Sequence, residues 1–248
     1  MPTDAYGQAL RSLSELGPMR VWSLLVTVFG DLAPDRPLQG PTLSAIMAEI
    51  GIKPEASRVA LHRLRSDGWI VSEKRGRTSS HALTEKGRSD SDAARARIYG
   101  TEDPREASLV VTRTPVDLDP VQFAQIAPRV FVAASDATTP GDAMRLEAGT
   151  LPPWLGAQIE TDVMRDAYKS LHAVLTDITE ELAAPLAPLE VAALRVLTVH
   201  AWRRLALKHP ALPAHAHTTD WRGHDCRALV ATLLNRYPRP DLNVIKAA

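Results

Sequence analysis

The stretch from Thr42 to Leu83 constrains this chain most, because its glycines and prolines leave few ways to fold it. Leu43, Ile46, Met47 and Ile50 recur at helical spacing behind a Thr42 or Ser44 cap, and Gly51 ends that helix. Gly51-Ile52-Lys53 is a tight turn into Pro54, a residue suited to a first helical turn. The next helix runs from about Pro54 to Ser66 and closes at Asp67-Gly68. Ala60, Leu61 and Leu64 share one of its sides; Ser57, Arg58 and His62 fall substantially on another. Trp69 to Glu73 then reads as a strand, Lys74 to Ser79 as a basic turn containing Gly76, and Ser80 to Leu83 as a returning strand. Ahead of all this, the apolar run Val21 to Phe29 stops at Gly30 and supplies an earlier helix. It is about half the roughly 20 residues that a membrane-spanning helix needs, so no span is expected.

Composition narrows the function classes. The chain has 248 residues, 45% hydrophobic, enough to bury a core and to form one large domain or a few small ones. Its 29 basic and 29 acidic residues cancel, which excludes a polybasic coat over the whole molecule. The distribution is uneven: residues 53 to 88 hold nine Lys or Arg against four Asp or Glu. Such a local excess is what a polyanion partner requires, since neutralising phosphates releases counterions. The single cysteine, Cys226, rules out a disulfide framework and a Cys-based zinc site. Asp4 precedes the first basic residue, Arg11, against the pattern of a secretory signal, so a cytoplasmic protein is expected.

A helix, a turn, a second helix and a basic hairpin suit duplex DNA, the helix in the major groove and the hairpin tip on a neighbouring phosphate strand or in the minor groove. The expected contacts are Ser57, Arg58, His62, Arg63, Lys74, Arg75, Arg77 and Thr78. Arg58 and His62 would approach base edges, and Arg63, Lys74, Arg75 and Arg77 would mainly hold phosphates. The segment "RVALHRLRSDGWIVSEKRGRTSSHALTEKGR", followed by "RIYG", resembles the winged-helix module of the PaaX-like transcriptional repressors. "HAWRRLALKHPALP" and "DWRGHDCRALVATLLNRY" resemble that family's C-terminal pattern. The resemblance implies control of aromatic-acid catabolism genes, typically those for phenylacetate, by a homodimer bound to an inverted-repeat operator. It further implies release by an acyl-CoA thioester of the phenylacetyl-CoA type, with no catalysis, no cofactor and no metal.

The remainder of the chain reads as two more segments. In residues 101 to 152, Ser108 to Thr112, Arg129 to Ala134 and Met144 to Ala148 are strand-like, and a short helix is expected from Asp119-Pro120 through Val121, Phe123 and Ile126. The resemblance implies a ferredoxin-like, Cas2-like domain used for dimer contact. Asp117, Asp119 and Asp136 would serve a metal-dependent nuclease or hydrolase, the alternative reading, but their spacing is not that of ligands. From Ile159 onward the pattern is helical, broken by Pro185 and Pro188. His200, Trp202, Arg203 and Arg204 are either a helix end or a binding wall for an acyl group and its phosphates. His215, His217, His224 and Cys226 crowd within twelve residues, yet neither a standard zinc pattern nor a converging nucleophile pair results.

The expectation is therefore an α+β multidomain chain. It comprises a winged helix-turn-helix over 1–100, a ferredoxin-like α/β domain over 101–155 and a helical effector or dimerisation domain over 156–248.

Overall fold

The computed structural model describes residues 4–76, 78–101, 106–134, 137–149 and 151–245, the side chains of Arg75 and Pro153 excepted. In chain order the elements are α1 (Ala5–Glu15), α2 (Val21–Thr27), a π-helical turn (Val28–Leu32), β1 (Leu38–Gln39), α3 (Gly40–Glu49), α4 (Pro54–Ser66), β2 (Ile70–Arg75), β3 (Thr78–Leu83) and α5 (Glu85–Tyr99). There follow β4 (Ala107–Thr112), β5 (Phe123–Ala127), β6 (Val130–Ala134), β7 (Ala143–Ala148), α6 (Pro153–Ile159), α7 (Asp162–Glu181), α8 (Pro188–Ala206) and α9 (Gly223–Arg236). The fold is mixed α/β, with helices and two small antiparallel sheets in the orders β1-β3-β2 and β5-β6-β4-β7.

Two units interleave along the sequence. One comprises Met1–Ala96, Ala173–Ala201 and Leu229–Ala248; the other comprises Arg97–His172 and Trp202–Ala228. The helical segment 156–248, expected to stand alone, is shared between them.

In the first unit, α3 and α4 end as their glycines dictate. Gly51 and Gly68 sit at φ +82° and +70°, a conformation open to glycine at little cost. Around each, the chain makes the paired reverse bonds of a Schellman cap: Ile52 N to Met47 O and Gly51 N to Ala48 O, then Trp69 N to Leu64 O and Gly68 N to Arg65 O. These caps turn α3 into α4 and α4 into β2. Leu43, Ile46, Met47, Ala60 and Leu64 are buried, together with Leu24, Leu25 and Phe29 from α2 and its extension. The ring of Trp22 meets that of Trp69 edge to face at 6.3 Å.

Helix α8 is buried on all sides from Val191 to Trp202 rather than along one stripe, so its first-unit residues form a core helix. Arg195 lies within this apolar run. Its guanidinium binds Asp31 through two bonds of 3.0 and 2.9 Å and donates to the carbonyls of Leu234 and Tyr237. Asp31 is 1% exposed and sits in the π-helical turn, where the widened backbone carries its carboxylate inward.

In the second unit the expected helix at Asp119 does not form. Asp119 closes a single turn by accepting from the backbone N–H groups of Val121, Gln122 and Phe123, and the chain then enters β5. Pairing with β6 wins because it buries Phe123 against Phe131, with ring centroids 6.4 Å apart. Among the described residues no helix lies between β4 and β7. Gly156 lets α6 lie on the backbone of His217 and Thr218, where a Cβ would come within 2.8 Å of the Thr218 nitrogen. Just beyond α6, the buried carboxylate of Glu160 accepts from His217 Nδ1 at 2.8 Å, from Thr218 N at 2.9 Å and from the Thr218 hydroxyl at 2.5 Å.

Removing either buried carboxylate should be costly. Asp31→Asn strands the Arg195 guanidinium and should lower the unfolding free energy by about 3–5 kcal/mol, measured by urea denaturation. For Glu160, burial pushes the carboxyl up, but hydrogen bonds from His217 and Thr218 outweigh it and hold the group below its usual 4.5. A carboxylate held low stabilises the fold above its unfolded value and loses that stability as the pH falls through the folded one. Acid titration of the unfolding midpoint should therefore fall away below pH 4.5, and less steeply in Glu160→Gln.

Candidate nucleic-acid interface

Helix α4 presents a polar stripe to solvent. Arg58, His62 and Arg65 follow one another at spacings of four and three and are exposed, and Val59 beside them is 72% exposed. Arg58 pairs with Glu55 at 3.7 Å, a contact between two well-exposed side chains and weak for that reason.

Between this helix and the β2–β3 hairpin lies a groove of about 810 Å³. Its floor is apolar, formed in part by Leu43, Met47 and Leu61, and its rim carries Arg58, Arg65 and Lys74. Ser57, Thr78 and His81 also line it, as does one acidic residue, Glu73. At the hairpin end Arg75 pairs with Thr78, and Gly76 takes φ +63°, a conformation open to glycine. The expected six-residue basic turn is thus mostly strand. His81 is 7% exposed, with Ser72 Oγ 2.7 Å from Nδ1 and Ser79 Oγ 3.3 Å from Nε2. Burial, and then the Arg65 guanidinium, hold its imidazole below the usual range.

The expected contacts divide accordingly. Arg58, Lys74 and Thr78 line the groove and are exposed. His62 is exposed on α4. Ser57 lines the groove but is only 8% exposed, and its Oγ has no hydrogen-bond partner among the described residues. Arg63 turns the other way: its guanidinium lies 5.8 Å from the Trp22 ring centroid and 3.7 Å from Asp67, on the side of α4 that packs on α2. The side chain of Arg75 and the whole of Arg77 lie outside the described residues. Arg65, Val59 and His81 were not foreseen. The spacing of Arg65 from Arg58 and His62 was a signal for the first, and the place of Val59 four residues after Glu55 and three before His62 was a signal for the second.

The cluster considered for an effector is packed. Trp202 is 2% exposed, donates from Nε1 to the Ile98 carbonyl and meets Tyr168 edge to face at 6.3 Å. His200 belongs to the first unit and is 3% exposed. Arg203 and Arg204, in the second, are half-buried, and burial lowers the pKa of Arg203. A flat acyl group therefore finds no open indole face at Trp202. Near it, Tyr168, Trp221, His209 and Arg227 surround a cavity of about 20 Å³, room for a single water.

His217 stacks on Trp221 at 4.5 Å with the rings parallel, and Cys226 is fully buried. Among the described residues no group of three His, Cys, Asp or Glu side chains could hold a metal ion, Asp117 and Asp119 included; Asp136 lies outside those residues. Nor is any helix long and apolar enough to cross a membrane among them.

The model of the PaaX-like protein family matches residues 20–87, and that of the PaaX-like protein C-terminal domain matches residues 160–245, together more than half of the chain. The chain belongs to the PaaX-like family. Within it, the chain is 24% identical over 255 residues to the transcriptional repressor PaaX of Escherichia coli K12, covering 88% of this chain and 81% of that protein. Among solved structures, the fold is similar to that of the uncharacterized protein Rv0674 from Mycobacterium tuberculosis. The TM-score is 0.54 and the identity 18%, covering 87% of this chain and 96% of the other.

The thiol of this PaaX-like chain should be inert. Burial, and then Asp225, push Cys226 up to about 12, so a thiol reagent should label the native protein at a negligible rate and label it fully once urea unfolds it.

Proposed function

We propose that this chain is a DNA-binding transcriptional repressor, that it acts without catalysis, and that α3, α4 and the β2–β3 hairpin are its winged-helix reading head. The observation that carries the reading is the groove between α4 and the hairpin, rimmed by Arg58, Arg65 and Lys74 in a chain with no net charge. The family models and the PaaX repressor of Escherichia coli support it. In this reading α4 enters the major groove, with Arg58 and His62 at base edges and Val59 against a thymine methyl group. One phosphate strand runs along the groove, held by Arg65, Lys74 and Thr78, while Arg75 and Arg77 extend the positive hairpin tip.

The proposed genes are those of aromatic-acid, phenylacetate-type catabolism, and the proposed assembly is a cytoplasmic homodimer on an inverted-repeat operator. Release by an acyl-CoA thioester is part of the proposal and rests on the family resemblance. Its site is not the buried face of Trp202.

Binding to the chain's own promoter region, followed by fluorescence anisotropy at several salt concentrations, tests the reading. Arg65→Ala and Lys74→Ala should each weaken binding and each reduce the salt slope by about one. Arg58→Ala should cost about 1–3 kcal/mol and relax the sequence preference. Arg63→Ala should weaken binding less than Arg65→Ala, because Arg63 lies beside Trp22 and Asp67 and does not line the groove. Unchanged binding in all of the first three variants would sink the reading head.

A further inference from the structure

One face of the β2–β3 hairpin carries four polar side chains in a block. Ser72 and Lys74 alternate along β2 and Ser79 and His81 along β3, and the register sets Ser72 opposite His81 and Lys74 opposite Ser79. All four line the groove. His81 is the buried member, and a serine touches each of its ring nitrogens: Ser72 Oγ lies 2.7 Å from Nδ1 and Ser79 Oγ 3.3 Å from Nε2.

A neutral imidazole has one donor and one acceptor, so it cannot treat its two serines alike. Of the charged side chains that line the groove among the described residues, Arg58, Arg65 and Lys74 are cations and Glu73 is the one anion. Burial and Arg65 disfavour a second proton on the ring. The shorter contact has the length of a hydroxyl that donates, so Ser72 gives its proton to Nδ1. Nε2 then carries the ring proton and donates to Ser79 Oγ. Ser79 thereby accepts one bond and keeps its own O–H, for which no acceptor occurs among the described residues. Its oxygen is crowded from the α3 side as well: a Cβ on Gly40 would lie 2.6 Å from it.

We propose that Ser79 is a neutral phosphate donor, kept in that role by His81, and that with Lys74 across the strand it forms a two-point clip for one phosphate of the bound duplex. The inference rests on the proposed reading head and adds to it a contact without charge. A hydroxyl that already accepts a hydrogen bond is the better donor, because bonds in a chain polarise one another. A bond to an ionised oxygen is also of the stronger kind. Lys74 supplies attraction but little direction, being a point charge on a flexible stem. Ser79 supplies the direction, from a strand and from between His81 and Gly40. His81 touches no phosphate in this arrangement and is a positioning residue.

Salt dependence separates this contact from those of the cations. In anisotropy titrations of the full chain with a duplex from its own promoter region, Ser79→Ala should weaken binding about tenfold. The salt slope should stay as in the wild type, since a neutral donor releases no counterion, whereas Lys74→Ala lowers it. His81→Leu should weaken binding as Ser79→Ala does and cost nothing further in the Ser79→Ala background. His81→Gln, whose amide accepts from Ser72 and donates to Ser79, should recover most of the affinity. Circular dichroism checks the fold of each variant. Nitrogen NMR of the histidine-labelled wild type needs no substitution, and at neutral pH it should find the His81 proton on Nε2. A proton on Nδ1, a charged ring, wild-type affinity in Ser79→Ala, a lowered slope in that variant, or additive losses from His81→Leu and Ser79→Ala would each overturn the clip. All of these leave wild-type binding intact; a wild type without salt-dependent affinity for duplex would instead remove the reading head, and the clip with it.

Discussion

The buried pair between Asp31 and Arg195 constrains the first unit more than any other contact. Two charges taken out of water gain little over a well-packed apolar pair, but either one alone is costly. Arg195 therefore has one acceptable environment: the carboxylate of Asp31 on one side and the carbonyls of Leu234 and Tyr237 on the other. That requirement locks three segments distant in sequence, the extension of α2, the first-unit part of α8, and the end of α9. Helix α4 packs on α2, through Trp22 against Trp69 and through Arg63 over Trp22, so the direction in which its polar stripe points depends on the same lock.

The same lock explains which parts of the fold could be read from sequence. The α3–α4–hairpin segment is written in local terms: Gly51, Pro54, Gly68 and Gly76 each stand where the backbone demands them, and α4 runs over the residues anticipated. The helix expected at Asp119 failed because its signal was also local. An Asp-Pro start yields one turn, and cross-strand burial of Phe123 then outweighs continuing it. Nor could a charge count show that Arg63 belongs to Trp22 and Arg65 to the groove. Helical spacing sets Arg63 and Arg65 on different sides of α4, and the packing of α2 on α4 decides which side is left to the groove. Arg195 did leave a trace, as the one arginine or lysine between Val191 and Trp202.

Tryptophan beside arginine at the end of α8 invited a ligand reading, and the second unit uses the tryptophan for packing instead. The Trp202 indole donates to Ile98, Arg227 lies over the same ring at 5.4 Å, and Arg97 donates to carbonyls at Val121, Ala206 and His209. Arg97 thereby satisfies the Ala206 carbonyl, which the end of α8 leaves open. Burial pushes His209 down to about 4, so its ring stays neutral between Tyr168 and the Pro210 carbonyl. A cluster so fully occupied offers an acyl group no face to stack on; it would have to exchange existing bonds one for one.

An electrically neutral chain can still bind a polyanion if its cations share one edge of one concavity. Dispersed over the surface, the same arginines and lysines would be screened within a Debye length of about 8–10 Å. Collected on the rim of the α4–hairpin groove, Arg58, Arg65 and Lys74 instead add their fields over one concavity. The low-dielectric protein wall beneath them strengthens this by focusing the field lines into the groove. Buried His81 remains neutral on that floor, because burial and Arg65 disfavour its charged form. The positive charge therefore stays on flexible rim side chains, which can follow the curve of a helix, and does not sit on a ring fixed between two serines. Arg58 and Arg65 belong both to this rim and to the exposed stripe of α4, so one short segment carries the groove's charge and the helix's polar face.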